Sequence, residues 1–307
     1  MKRKHFLKNL FFYLFPFIFF CLLVICVGKF SVNIPYMDEW SLVPYLQKAY
    51  EGSLSIYDLF AQHNESRMFF PKLLIITLAR ITNWNICYEI ACNVLIALAI
   101  FLLLAHQSIR TNIANFGKKN IWLVIFLSAL IFSVLQYECW TLGFSVAGYM
   151  NIFFVVLGLI FLCHHPFSWL SFSGSLLAGT IATYSYINGI GYWIIGVPAL
   201  MASMREEKKS RVLPYIIWLL FAMAILTLYF SDYIKNPYHP SLLFPLKAPS
   251  FLFSYLFTFI GSAIVNVPDL SNSVPITIGV IGLLIFGICW LICFYSAGKG
   301  PKYIAFW

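Results

Sequence analysis

The stretch LFFYLFPFIFFCLLVICV, residues 10–27, contains no charged residue and is long enough to cross the hydrocarbon core of a bilayer as a helix. Basic residues precede it, and GKFSVNIPY follows it without a small-x-small cleavage site. We therefore interpret it as an uncleaved first membrane span and not as a signal peptide. The basic residues ahead of it place the N-terminus in the cytoplasm by the positive-inside rule.

Similar apolar stretches recur along the whole chain. The 307 residues are 61% hydrophobic and 10% charged, whereas soluble domains carry about a quarter charged residues. Segments of this length predict helices, because a barrel strand crosses the bilayer in roughly ten residues. We therefore predict an all-α polytopic transmembrane bundle that forms a single domain over residues 1–307. The nine predicted spans are 10–27, 86–106, 121–136, 146–163, 168–185, 190–204, 212–230, 251–266 and 275–296.

The net charge of +9 comes from basic clusters within 2–8, 110–119 and 205–211, each beside an apolar segment. This distribution orients membrane helices and attracts anionic lipid headgroups, so we expect a membrane partner and no nucleic acid. The eight cysteines lie mostly inside apolar stretches and lack the company of other metal ligands. Their pattern therefore predicts no metal site built from cysteines.

The segment between the first two spans, residues 28–85, is predicted to be an extracytoplasmic loop that folds into short surface helices. Within DEWSLVPYLQKAYEG, the apolar side chains at helical spacing are Leu42, Tyr45, Leu46, Ala49 and Tyr50. Asp38 occupies the expected N-cap position of this helix, and Gly52 occupies the expected C′ position. Ser55 and Asp58 predict a capping box for a second, shorter helix.

Acidic residues are rare in this chain and gather on one side of the predicted membrane. The acids predicted to lie outside are Asp38, Glu39, Glu51, Asp58, Glu65, Glu138 and Asp232. The cations and aromatic residues on the same side include His63, Arg67, Trp140, Lys235 and His239. Cations bind phosphate, and carboxylates accept hydroxyl protons. This shared sidedness indicates a site for a phosphate-bearing, sugar-like ligand.

Three short motifs carry a family resemblance: PYMDEW (35–40), AQHNESRMFFPKLL (61–74) and QYECWTLGF (136–144). They resemble a group of uncharacterised bacterial polytopic membrane proteins associated with the GT-C superfamily of membrane glycosyltransferases. The layout over roughly residues 1–300, a first span followed by an outer loop with an acidic pair and further spans, is similar to that superfamily. Relatives are usually longer, so the resemblance implies that a C-terminal part of the family layout is missing.

The resemblance implies an enzyme of the bacterial inner membrane. It would transfer a sugar from a polyprenyl-phosphate donor lipid to an extracytoplasmic hydroxyl acceptor, an envelope glycan or lipid. In that superfamily an acid of the first outer loop acts as the catalytic base or contributes to metal binding. This role maps onto Asp38, with Glu39 as its neighbour, and makes a divalent ion such as Mg²⁺ or Mn²⁺ a candidate cofactor.

The predicted substrate-binding residues are His63, Glu65, Arg67, Glu138, Trp140, Lys235 and His239. Among these, Arg67, Lys235 or His239 would hold the lipid phosphate as it leaves. Each feature also has a structural interpretation. Asp38 is a possible helix cap, Arg67 is placed to reach lipid headgroups, and Trp140 is typical of an interfacial aromatic residue.

Two other classes of function remain open. A lipid or solute transporter would favour internal repeats and ionisable groups at mid-membrane, and the sequence contains no clear repeat. A non-catalytic membrane protein, including a fragment of a transferase, is the other alternative.

Overall fold

A computed structural model describes residues 2–110, 120–164, 166–206, 212–237, 244–262, 265 and 273–297. The helices are α1 (Lys2–Phe30), α2 (Val43–Glu51), α3 (Ile56–Phe60), α4 (Phe69–Thr82), α5 (Cys87–Arg110), α6 (Asn120–Ile131), α7 (Tyr137–Thr141), α8 (Val146–Leu162), α9 (Trp169–Thr183), α10 (Gly191–Glu206), α11 (Leu213–Phe230), α12 (Phe244–Lys247), α13 (Pro249–Ser262) and α14 (Ser273–Ala297). Short 3₁₀ turns precede several of them, at Met37–Leu42, Val134–Gln136, Gly143–Ser145 and Ile187–Ile190.

Five helical segments are long and apolar enough to cross a bilayer: Cys87–Ser108, Ile121–Thr141, Gly143–Leu162, Ile187–Met204 and Leu213–Phe230. This confirms the prediction of a helical protein of the membrane type. The other four predicted spans also coincide with helices, namely α1, α9, α13 and α14. Their described apolar stretches are shorter, and α9 has only 15 residues. Five of the nine predicted spans are therefore supported by length and composition.

One element departs from the all-helical prediction. Strands β1 (Gln62–His63) and β2 (Ser66–Arg67) form a small antiparallel hairpin, with Gln62 opposite Arg67 and His63 opposite Ser66. Strands of two residues contain no alternation that a sequence pattern can reveal. The hairpin is instead held by contacts with distant parts of the chain, which are described below.

Residues 28–85 pack onto the helical bundle. The predicted apolar stripe is confirmed at Leu42, Leu46 and Ala49, which are buried against α4 and against Phe144, whereas Tyr45 is half-buried and Tyr50 is exposed. Gly52 ends α2 in the left-handed conformation, as its predicted C′ position requires. This segment therefore shares its apolar core with the start of α8.

The predicted capping box of α3 is also confirmed. The Ser55 hydroxyl accepts from the Asp58 backbone N–H at 3.3 Å, and the Asp58 carboxylate accepts from the Ser55 N–H at 2.9 Å. Lys48 binds the same carboxylate at 2.5 Å, and this hydrogen bond holds the pKa of Asp58 well below its usual range. The carboxylate of Asp58 thus has a structural role that is local to α2 and α3.

Candidate active site

The acidic pair lies in the 3₁₀ turn Met37–Leu42, and its two carboxylates have different surroundings. Glu39 is only 2% exposed. One of its oxygens accepts from the Tyr36 N–H at 2.8 Å, and the other accepts from the Phe144 N–H at 3.1 Å. Burial raises the pKa of the Glu39 carboxyl, and these backbone donors oppose the rise. Glu39 therefore closes its own turn and fixes it to the turn that starts α8.

Asp38 does not cap α2, which corrects the structural interpretation of this residue. The helix begins five residues later, at Val43, and no capping bond from a side chain is present at the start of the 3₁₀ turn. The carboxylate that accepts a hydrogen bond from the preceding backbone, at the N–H of Tyr36, is that of Glu39. The Asp38 side chain is 55% exposed, and its Oδ2 lies 3.5 Å from Nε2 of His63. The carboxylate of Asp38 is thus accessible and faces an imidazole.

His63 comes from β1 and lies among polar groups of the acidic turn. Its Nδ1 is 3.3 Å from the hydroxyl of Ser41, and its Nε2 is 3.4 Å from the side-chain amide of Asn64. The ring of Phe144 packs edge-on against the imidazole, with centroids 5.1 Å apart. The side chain is only 18% exposed. The structure therefore brings together two of the predicted site residues, Asp38 and His63, which are 25 positions apart in the sequence.

Backbone strain occurs beside both of these residues. Met37 has φ 47° and Asn64 has φ 49°, so each lies in the left-handed region. Asparagine tolerates this region, and Asn64 occupies the turn of the hairpin. A methionine there is costly, by roughly 1–3 kcal/mol, and such strain is concentrated at functional sites. The unfavourable conformation of Met37 thus lies directly before Asp38 in the chain.

Arg67 was predicted to bind substrate, and the structure places its guanidinium among backbone carbonyls. Nε donates to the carbonyl of Tyr229 at 2.6 Å, and Nη1 donates to that of Phe60 at 3.0 Å. Nη2 donates to the carbonyl of Ser231. Carbonyls at a helix C-terminus need such donors, because they have no partner within the helix. Arg67 thus joins the hairpin to the end of α11.

Gln62 holds a second segment against the hairpin. Its side-chain amide donates to the carbonyl of Ile234 at 2.6 Å, and its carbonyl accepts from the Ile234 N–H at 3.0 Å. This paired contact fixes the backbone next to Lys235, whose side chain is exposed. Lys235 therefore lies at the same end of the bundle as His63, whereas His239 falls outside the described residues.

The remaining predicted residues have varied surroundings. Glu65 is half-buried, and its carbonyl accepts from the Tyr229 hydroxyl at 2.9 Å. Glu138 is exposed and accepts from the Tyr137 hydroxyl at 3.2 Å. Trp140 is only 1% exposed, and its ring is stacked on that of Tyr149. Its indole therefore belongs to the helix core and offers no open face to a ligand.

Glu89 and Gly143 are part of the site but were absent from the predicted set. A Cβ on Gly143 would lie 2.8 Å from Oε2 of Glu89 and 3.0 Å from Oε1 of Glu39, so the two carboxyl groups meet at this glycine. Within the described part of the chain, the buried oxygens of Glu89 have no hydrogen-bond partner. The sequence placed Glu89 near the end of a span, but no pattern connected it with a glycine 54 positions later.

Lys72 is a buried cation of the loop with a structural role. Its Nζ donates to the carbonyls of Asp58 at 3.1 Å and Ala61 at 2.7 Å, and it lies 4.1 Å from the centre of the Tyr45 ring. Burial lowers the pKa of Lys72 to about 8. Its amine satisfies the C-terminal carbonyls of α3 and is not directed to a ligand.

The acidic pair does not fit a divalent ion. Both oxygens of Glu39 already accept backbone N–H groups, whereas the carboxylate of Asp38 is exposed. Within the described residues, no three His, Cys, Asp or Glu side chains are grouped as metal ligands would be. The chemistry proposed below therefore uses no metal ion.

Comparison with known proteins gives no relative on which to base a function. No protein-family model, no curated protein and no solved structure matches the chain.

Proposed function

We propose that this chain is a glycosyltransferase of the GT-C type in a bacterial inner membrane. It moves a sugar from a polyprenyl-phosphate donor to a hydroxyl acceptor of the cell envelope. The observation that supports this most is the exposed carboxylate of Asp38, which is held in a strained turn and faces His63. A general base must be accessible to its substrate and rigidly positioned, and Glu39 supplies that rigidity.

In this proposal Asp38 accepts the proton of the acceptor hydroxyl. The acceptor oxygen bonds to the anomeric carbon of the sugar while the bond from that carbon to the phosphate oxygen breaks. The polyprenyl phosphate leaves with the bonding electron pair, and a single displacement inverts the anomeric centre. Of the predicted phosphate-binding residues that the structure describes, Lys235 is exposed and would bind the departing phosphate, because the guanidinium of Arg67 is already engaged by backbone carbonyls.

The approach to Asp38 also suits a lipid donor. From the end of α1 to the start of the acidic turn, the chain exposes large apolar side chains at Phe30, Val32, Ile34 and Met37. Apolar surface of this kind favours contact with acyl or prenyl chains. The polyprenyl tail would pack against it, and its phosphate would then lie at the level of Asp38.

The proposed topology has nine spans, a cytoplasmic N-terminus and an extracytoplasmic segment 28–85. The contacts of that segment support the arrangement. It bonds to Phe144 at the start of α8, to Ile187 before α10 and to Tyr229 at the end of α11. In a bundle whose helices alternate in direction, these three points fall on the same side of the membrane.

The substitution Asp38→Asn tests the proposal. It removes the base and preserves the shape of the side chain, and no capping bond is lost because Asp38 caps no helix. We expect sugar transfer in membranes loaded with radiolabelled polyprenyl-phosphate hexoses and pentoses to fall by on the order of a hundredfold to ten-thousandfold. Transfer at the parent rate, at matched protein level, would refute the assignment of Asp38 as the base.

A matched control is available in the same loop. Asp58→Asn makes the same chemical change at a carboxylate that binds Lys48 and the N-terminus of α3. This variant should lose some stability but should retain transfer per folded molecule. An equal loss of transfer in both variants would show that the effect at Asp38 is a loss of loop structure.

A further inference from the structure

We infer that His63 and Asp38 form a pair that shares one proton, and that Ser41 fixes the tautomer of His63 that makes this possible. The inference rests on the function proposed above and adds His63 to it as a positioning residue that acts through Asp38. Three distances and one chemical constraint define the arrangement. They involve Ser41 in the acidic turn and the imidazole of β1.

The hydroxyl of Ser41 can only be a donor towards the backbone. Its Oγ lies 2.5 Å from the carbonyl oxygen of Asp38, and a carbonyl oxygen has no proton to give. The Ser41 proton is therefore directed at that carbonyl. The lone pairs of Oγ remain available to other donors.

This assignment determines which imidazole nitrogen bears a proton. Nδ1 of His63 lies 3.3 Å from the same Oγ. Since Oγ has no second proton, the contact is attractive only if Nδ1–H donates to it. In the neutral imidazole, Nε2 is consequently the unprotonated nitrogen.

The unprotonated Nε2 lies beside the carboxylate of Asp38. The separation from Oδ2 is 3.5 Å, and the amide of Asn64 is the other polar neighbour of Nε2 at 3.4 Å. Two lone pairs that face each other repel, whereas one proton between them makes the contact attractive. The pair therefore has a place for a single additional proton.

The position between Nε2 of His63 and the carboxylate of Asp38 can hold the proton that the acceptor hydroxyl releases during sugar transfer. When the acceptor O–H bond breaks, its proton passes to the Asp38 carboxylate, and the facing Nε2 stabilises the protonated pair. The proton is then lost to water, since the Asp38 side chain is exposed whereas the imidazole is largely covered. The edge-on ring of Phe144 and the hydrogen bond to Ser41 keep the imidazole in this orientation.

The tautomer is measurable by nitrogen NMR on the full chain, labelled with ¹⁵N-histidine and held in lipid nanodiscs. The His63 signals are those that disappear in His63→Gln. We expect Nδ1 to be protonated in the parent protein. In Ser41→Ala the acceptor for this proton is removed, so the population with an unprotonated Nδ1 should increase. An unprotonated Nδ1 in the parent would overturn the inference, whatever the enzyme transfers.

Kinetics provide a second, independent measurement. His63→Gln keeps a polar group near the position of Nε2 but cannot hold the extra proton. We expect kcat to fall by less than the loss in Asp38→Asn, which is on the order of a hundredfold to ten-thousandfold, while KM is unchanged. His106→Gln, at the far end of α5, is the matched control and should retain the parent kcat.

A double-mutant cycle separates a pair from two independent residues. In the Asp38→Asn background, His63→Gln should cause no further loss, because the proton-accepting partner is already gone. Additive losses would overturn the inference while leaving Asp38 as the base. If the parent itself transfers none of the labelled sugars, the proposed function fails, and the NMR measurement still decides whether the proton-sharing pair exists.

Discussion

Two adjacent residues with the same functional group have opposite roles in this protein. Glu39 is buried and bonded to two backbone N–H groups, whereas Asp38 is exposed and faces an imidazole. The difference follows from the turn that contains them, because successive residues of a 3₁₀ turn point in different directions. One carboxylate holds the turn in place, and the other remains available for chemistry.

The left-handed conformation of Met37 can be tested by substitution. Met37→Asn should raise the free energy of unfolding in detergent by about 1 kcal/mol. The reason is that asparagine tolerates positive φ and that the methionine side chain is exposed, so little packing is lost. The measurement is the unfolding temperature of the purified chain. Met37→Leu keeps the strain and should show no gain, so equal effects of the two substitutions would contradict the strain at this position.

At the level of elements, the site depends on the contact between two short turns. The turn Met37–Leu42 meets the turn Gly143–Ser145 through Glu39 and the Phe144 N–H. Gly143 allows this approach because it has no side chain, and the carboxyl groups of Glu39 and Glu89 occupy the space beside it. The hairpin β1–β2 then brings His63 beside Asp38 and against the ring of Phe144.

Replacing that glycine tests the contact. In Gly143→Ala the new Cβ would lie 2.8 Å from Oε2 and 2.9 Å from Cβ of Glu89, so something must shift. We expect a loss of roughly 1–3 kcal/mol in the free energy of unfolding, as overpacking usually causes. Gly148→Ala, five residues later, meets nothing within 4 Å and should cause no loss. A neutral Gly143→Ala would show that the two turns are not in close contact.

For the molecule as a whole, the side chains that the proposed sugar transfer uses lie at one end of the helical bundle. Segment 28–85 connects there to the start of α8, the region before α10 and the end of α11. Such connections bring these helix ends to one end of the bundle, which is the extracytoplasmic end in the proposed topology.

Orientation in the membrane is testable by thiol labelling. Tyr57 is 83% exposed in the loop, so a cysteine there, in a background without the eight native cysteines, should react with an impermeant reagent on intact cells. Lys118→Cys, within a basic cluster predicted to be cytoplasmic, should react only after lysis. Labelling of the two positions in the reverse pattern would place the acidic turn in the cytoplasm and would exclude an extracytoplasmic donor lipid.

The sequence by itself determined the features that depend on local composition and period. Apolar length gave the helical membrane class, and the spacing of Leu42, Leu46 and Ala49 gave the buried face of α2. The Gly52 terminus and the Ser55 capping box were also predictable, because their partners lie within a few residues. Interactions over such short separations leave a pattern in the chain.

The tertiary structure alone decided the site. The roles of Asp38 and Glu39 depend on which carboxylate reaches Phe144, 105 positions away. Arg67 is a candidate for phosphate in the sequence, and only the position of α11 shows that its Nε donates to the carbonyl of Tyr229, 162 positions later. Hydrogen bonds between distant segments follow from the packing of whole helices, so the residues they join carry no common signal in the sequence.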